Sequence, residues 1–409
     1  MKTKIRLAMI AMTLVLAEIN IHAQTDSLLF RHNHTVNEEN KGDLCLNIES
    51  LAFFKDNEFK GGRADGYTLP GFWLQPTLSL QPLGRIRLEA GIRLLKYWGA
   101  DNYPSCHYKS IAAWEDNGSR KFMHAIPVFR VQLQATKHFQ IVLGSIFGGS
   151  NHNLIEPLYN KEYNLSADPE NGVQLLLATR HFDFDAWVNW ENFIFRGDEK
   201  RETFTVGFSA LPKANARSSR IHTYFPVQIL FRHNGGEINN PSGPRVQTLI
   251  NAAAGAGVLI NTSNHIIPCM AIEAMGAYYG QQAGKELPVD NGYGILADMK
   301  ARIWQLDVRL SYWYNHDFIS IDGDPHFSAI GTADSEKIFK NNHLLKADIG
   351  YSYAFSPEYI LGISAGAIYM PGCDALEKGM NTKVAPAVSF SAGIYFRMSP
   401  DFLLKNIRK

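Results

Sequence analysis

The sequence predicts an all-β fold, a transmembrane antiparallel up-and-down β-barrel of about sixteen strands. Three observations carry that expectation. From about Gly42 to Arg397, segments of about ten residues alternate apolar with polar side chains. Short and long polar breaks take turns between the segments. The N-terminus reads as an export signal. The closing segment, Val388 to Arg397, shows the alternation: its even positions are apolar and its odd positions mostly small or polar. Such a strand sets one face in an apolar medium and the other in water. In a soluble sandwich the apolar faces must pack on each other. Here they form unbroken rows with few charges, which suits lipid.

Lys2, Lys4 and Arg6 precede an apolar stretch from Leu7 to Ala17, too short to span a bilayer. The cut is expected after Ala23, so residues 1–23 read as a signal peptide. Beyond it no segment approaches about 18 uncharged apolar residues, so no transmembrane helix is expected. A closed barrel is the other way to cross lipid with every backbone group paired. Lys and Arg total 40 against 39 Asp and Glu, a balance that argues against nucleic acid as a partner. The 33 glycines, 17 tyrosines and 12% aromatic content suit strands, tight turns and interfacial belts. Cys45, Cys106, Cys269 and Cys373 form no CxxC pair, so no metal or cofactor is expected. Cys106 and Cys373 fall in long loops, where a disulfide stays open. Cys45 and Cys269 read as wall residues.

In chain order, strands are expected near 42–55, 68–81, 85–97, 122–135, 138–147, 172–180, 182–195, 202–211, 221–233, 246–260, 265–279, 293–303, 305–315, 343–354, 358–370 and 384–397. Residues 24–41 are a periplasmic lead, 42–398 the barrel and 399–409 a periplasmic tail, read as a short helix. An even strand count returns both termini to the periplasmic side and sends the longest loops, 98–121, 148–171 and 316–342, outward. Parity then sorts the faces. Ile86, Leu88, Ala90, Ile92 and Leu94 face lipid, while Arg85, Arg87, Glu89 and Arg93 face inward. Phe184, Ala186, Val188 and Trp190 face out, opposite Asp183, Asp185, Asn189 and Glu191. Asp298, Lys300, Arg302, Asp307, Arg309, Lys346 and Asp348 continue the inward charges. A charge on the lipid face costs about 2–4 kcal/mol at mid-depth, so such rows belong in the lumen. Phe139, Phe182, Trp304 and Phe355 lie by the short turns, and Tyr278, Tyr312, Tyr314 and Tyr369 toward the other end, as two aromatic girdles would.

On this architecture, rather than on a diagnostic motif, the chain resembles Gram-negative outer-membrane β-barrel proteins of general porin type, in the style of Bacteroidota outer-membrane proteins. One departure is the ending. Such barrels often finish on an aromatic residue, and here Met398 to Lys409 follow Phe396. The resemblance implies passive diffusion of small polar solutes, with oligosaccharides as plausible cargo, in a bilayer faced by lipopolysaccharide. It also leaves a homotrimer open. A third loop folded inward against basic wall residues implies a constriction at Glu156, Asp168 and Arg130. The wider pore lining would be Arg87, Arg93, Asp185, Glu191, Lys300, Arg302 and Arg309.

Other motifs weigh less. The loop Gly148 to Asn160 offers amides, His152 and Tyr159 for sugar hydroxyls, but local turn capping explains the same residues. Asp322 and Asp324 are hard oxygens for Ca²⁺, with a bare turn as the simpler reading. His32 and His34 read as solvated tail. A rival class is a membrane lipid hydrolase of the barrel-phospholipase type, with histidine and serine two apart on one outward face. Serine is missing from the needed position after His152 and after His233, and Ser320 follows His316 by four residues in a loop, so no catalytic residue and no enzyme is expected. A non-conducting barrel serving as anchor, adhesin or secretion partner is the other alternative.

Overall fold

The computed structural model describes residues 34–98, 123–194, 201–216, 218–235, 246–331 and 337–407. Its strands are β1 (Asp43–Glu58), β2 (Tyr67–Leu83), β3 (Ile86–Tyr97), β4 (His124–Gln134), β5 (Phe139–Ser145), β6 (Asn171–Ala178), β7 (Phe182–Asn192), β8 (Thr203–Pro212), β9 (Ile221–Tyr224), β10 (Val227–Asn234), β11 (Gln247–Asn261), β12 (Cys269–Ala283), β13 (Asn291–Ile303), β14 (Leu306–His316), β15 (Lys337–Phe339), β16 (Asn342–Ser356), β17 (Tyr359–Met370), β18 (Cys373–Glu377), β19 (Met380–Val384), β20 (Ala387–Met398) and β21 (Asp401–Asn406). Eighteen of these form one sheet, and β15, β18 and β19 a small second one. Two members of the large sheet are interrupted strands. β9 and β10 both pair with β11 and are split at Phe225-Pro226, where proline has no N–H to give the ladder. β20 and β21 both pair with β1 and are split at Ser399-Pro400. The ring is therefore sixteen antiparallel strands, closed by the last onto the first.

The closure corrects one expectation. The tail is not a helix: Asp401–Asn406 pairs with Asp43 to Asn47 and lengthens the closing strand. Pairing continues past the proline, because the first strand starts at Asp43 and its backbone groups need a partner there. Cys106 lies outside the described residues, so the disulfide reading does too.

Parity holds around the ring. Ile272, Ile295, Leu310, Leu345, Ile363, Phe390 and Ile394 are exposed on the outer face. Gln132, Gln174, Asp185, Asn251, Asp298 and Ser311 are buried toward the lumen. At the end with short turns, Trp304 and Phe355 are 67% and 63% exposed, and Phe355 meets Tyr353 and Phe396 edge-on. At the end with long loops, Tyr293, Tyr312 and Tyr314 cluster with His316 and His343. These are the two girdles, and they define a turn end and a loop end.

The wall is not of even height. β5 and β6 hold 7 and 8 residues, against 15 each in β11 and β12. At about 3.4 Å per residue and a tilt of about 40°, seven residues climb roughly 18 Å, short of an apolar band about 25 Å tall. The low wall ends where the chain leaves the sheet. Gly144 pairs with Gly172 and has φ +89°. A Cβ there would also run into the Phe129 carbonyl oxygen. Gly144→Val is expected to cost about 1–3 kcal/mol from backbone strain alone, read as heat-induced loss of the compact barrel band on a gel at lower temperature than native. Unchanged melting would refute this role.

Beyond that point residues 146–170 turn into the barrel. Ile146, Leu154, Ile155 and Leu158 pack with inward Trp187, Leu230 and Met275, and with Phe318, Ile319, Ile321 and Phe327 of a second inward loop. Polar wall residues anchor both loops. Gln228 accepts from the Ile155 N–H and donates to the Asn153 carbonyl, each at 2.9 Å. Asn251 does the same for Ile321 and Ile319. The N-terminal lead also enters: His34 is not solvated tail but stacks on Phe147 at 3.8 Å, and its carbonyl accepts from Gln132.

Candidate active site

Under the low wall, at the loop end, lies a cavity of about 460 Å³. Its rim is built by β4, which reaches beyond β5 to His124, and by the outer end of β7. Ile126, Trp187, Trp190 and Leu230 give it apolar surface, and His124, Asp168, Glu191, Thr205 and Arg232 give it polar surface. Trp190 lies on the lipid-facing parity of β7, stacks on Phe204 at 4.8 Å and is 39% exposed, so the cavity borders the outer face as well as the lumen.

Two hydrogen-bonded pairs on this cavity have chemical potential. His124 Nε2 is 2.9 Å from Asp168 Oδ1, a histidine oriented by a carboxylate. Both side chains keep part of their surface open, 18% and 17%. The Thr205 hydroxyl donates to Glu191 at 2.9 Å, and Glu191 pairs with Arg232 at 2.8 Å. Arg232 also reaches Asp322. An imidazole–carboxylate pair can take a proton from water, and a nearby guanidinium can stabilise negative charge that develops on a substrate oxygen.

The segment carrying Asp168 is pinned by a buried histidine. His152 donates from Nδ1 to Asp185 at 2.8 Å and from Nε2 to Glu170 at 2.9 Å, while its ring stacks on Trp187 at 3.5 Å. Glu170 further accepts from the Gly149 N–H at 2.7 Å. Burial opposes the imidazolium, but the Glu170 and Asp185 carboxylates prevail and hold its pKa up at about 9. A pKa raised above its ordinary value stabilises the fold fully below about pH 6.5, and that contribution is lost as pH rises through about 9. Protease cleavage within 146–170 is therefore expected to rise between about pH 8 and 10 in native protein and to lose that rise in His152→Gln. Equal profiles would remove His152 as the pin.

The sequence-predicted constriction does not assemble. Glu156 is drawn to Arg309, to Lys346 at 2.8 Å and to Lys161 at 3.5 Å. Arg130 instead takes Glu89 at 2.7 Å and lies over Phe147, and Asp168 takes His124. Each is taken by a different partner on the wall: Glu156 by Arg309 and Lys346, Arg130 by Glu89, and Asp168 by His124. Arg87 also pairs with Glu89 at 2.8 Å, and Arg93 lies over Trp73 at 3.9 Å. Asp185 holds His152, Glu191 holds Arg232, Lys300 sits 3.3 Å from Asp298, and Arg302 pairs with Asp307 at the turn end. Asp322 and Asp324 are taken by Arg232 and by His326 at 2.8 Å. His124 and Thr205 were not singled out by sequence reasoning. Their partners lie far along the chain or across strands, and only parity at the ends of β4 and β8 hints at them.

A family model described as lipid A 3'-O-deacylase-type matches residues 36–407. That match overturns the expectation that the chain is no enzyme, because the family takes its description from a hydrolase. No curated protein matches the chain. Among solved structures, the outer membrane protein OpdK from Pseudomonas aeruginosa aligns over 88% of this chain and 100% of its own, with 9% identity and a TM-score of 0.51. OpdL from the same organism aligns over 89% and 99%, with 9% identity and a TM-score of 0.50. At that identity the likeness is one of fold, an outer-membrane barrel.

Proposed function

The chain belongs to the lipid A 3'-O-deacylase-type family, and on that premise we propose that it is an outer-membrane ester hydrolase that removes an acyl chain from a glycolipid of the lipid A class. The observation that carries the reading is the His124–Asp168 pair on a cavity that borders the lipid-facing side at Trp190. Lipid A lies in the leaflet next to the loop end, and a low wall there shortens the path from bilayer to cavity. In the proposed step, water is the nucleophile and His124 takes its proton as oxygen attacks the ester carbonyl. Arg232 stabilises the oxyanion. Collapse breaks the acyl C–O bond, and the proton passes to the departing sugar oxygen, giving a fatty acid and a free hydroxyl. Ile126, Trp190 and Leu230 would receive the hydrocarbon.

The test is mass spectrometry of lipid A after incubation with the purified barrel in vesicles. Loss of one acyl chain is expected. Intact lipid A from folded protein would overturn the reading. Thr205→Val separates water from the Thr205 hydroxyl as nucleophile: activity within a few-fold of native is expected.

A second reading, passive diffusion of small polar solutes, draws on the charged lumen and on a cavity of about 550 Å³ in its turn half. Against it stand the two inward loops and their buried contacts with the wall. Native protein is therefore expected to be silent in a planar bilayer, and steady conductance steps would favour the channel instead.

A further inference from the structure

We propose that the turn-half cavity is a binding site for a carboxylate amphiphile of the fatty-acid class, an inference that does not rest on the deacylase reading. This cavity of about 550 Å³ is separated from the candidate active site by the loop 154–159, since Leu154 and Tyr159 line both. It has two unlike ends. One is apolar: Tyr224, Leu259 and Ala271 form a small buried cluster with Leu211 packed on it, and Leu176 adjoins. This inward apolar patch is a cluster apart from the one around the inward loops, and it offers a wall for hydrocarbon.

The other end is ionic. Its carboxylates are already taken. Glu156 is held by Arg309 and Lys346, and Asp298 by Arg309 at 2.8 Å and the Ser311 hydroxyl at 2.7 Å. Glu273 lies beside Tyr224. Among the described residues, Lys161 and Lys300 have the longer contacts, 3.5 Å to Glu156 and 3.3 Å to Asp298. Each ammonium carries three donors, and their side chains are 56% and 34% exposed. Enclosure in the barrel lowers the Lys161 pKa although the side chain faces the open cavity, and the neighbouring cations Arg309, Lys300 and Lys346 lower it further against Glu156. An arriving carboxylate would relieve that crowding and leave the hydrocarbon against Leu211 and Leu259. Cavities of a few hundred Å³ with an apolar wall and few converging polar groups are the usual form of small-molecule sites.

The test is displacement of fluorescent cis-parinarate from amphipol-held full-length barrel by dodecanoate, dodecanol or acetate. Dodecanoate should displace it, at least tenfold more strongly than dodecanol or acetate. Lys161→Met with Lys300→Met should weaken dodecanoate at least tenfold and leave dodecanol unchanged. Because Lys161 is half exposed, Lys161→Met alone preserves the fold and should give a smaller loss in the same direction. Equal displacement by dodecanol would overturn the carboxylate requirement. Equal displacement by acetate would overturn the hydrocarbon requirement, and unaltered dodecanoate binding in the folded double variant would overturn the site.

Discussion

His124→Ala is expected to lower deacylation of lipid A by about 10²–10⁴-fold, the usual contribution of a positioned general base. Asp168→Asn should lower it less, since the imidazole remains but loses its orienting charge. Both variants should keep the compact barrel band, because the strand ladder at His124 is made by backbone groups and not by this pair at the cavity rim. That separates them from His152→Gln, which acts on the loop. If His124→Ala retained native turnover, the cavity would have another base, and Glu191, already hydrogen-bonded to Thr205, would be the next candidate. If neither group mattered, the low wall would have no catalytic meaning.

The sheet was legible because period two is enforced by lipid on one side and water on the other. Every expected strand from 42–55 to 384–397 has a counterpart within a few residues. Where that solvent contrast ends, legibility ends. The loop 148–171 has no period to read, so His152 looked like a turn residue. Its burial between Asp185 and Glu170 depends on a wall residue 33 positions away and on the far end of its own loop, 18 positions away. The tail was misread because Pro400 interrupts the alternation just before pairing resumes at Asp401. The candidate catalytic pair escaped for a related reason. The sequence search sought serine and histidine two apart on one strand face, whereas His124 takes its carboxylate from 44 residues along the chain. No spacing rule finds a partner delivered by an inward loop. Parity gives a charge its direction and says nothing about which neighbour a loop brings within reach, so the pairings had no signal in the sequence.

Glu156→Gln is the substitution expected to change the lumen most. The carboxylate is 6% exposed and answers Arg309, Lys346 and Lys161 together, tying the inward loop to β14 and β16. Burial raises its pKa, but those cations prevail and hold it well below the usual carboxylate range. Removing one partner of a buried ionic group leaves the others uncompensated, at about 3–5 kcal/mol. Asp298 still answers Arg309, and Asp348 lies 3.6 Å from Lys346, so the lower part of that range is expected. The wall is held by its ladders and should survive, whereas the loop is held by Glu156, His152 and Gln228 and should open more often. In a planar bilayer the native barrel is then expected to be silent and Glu156→Gln to show intermittent conductance, with faster protease cleavage between 146 and 170. Lys346→Met, which removes the opposite charge, should act in the same direction. A silent and protease-resistant Glu156→Gln barrel would mean that the buried apolar cluster around Trp187, Phe318 and Phe327 holds the loops without the ion pairs. The charged network would then serve register, not closure.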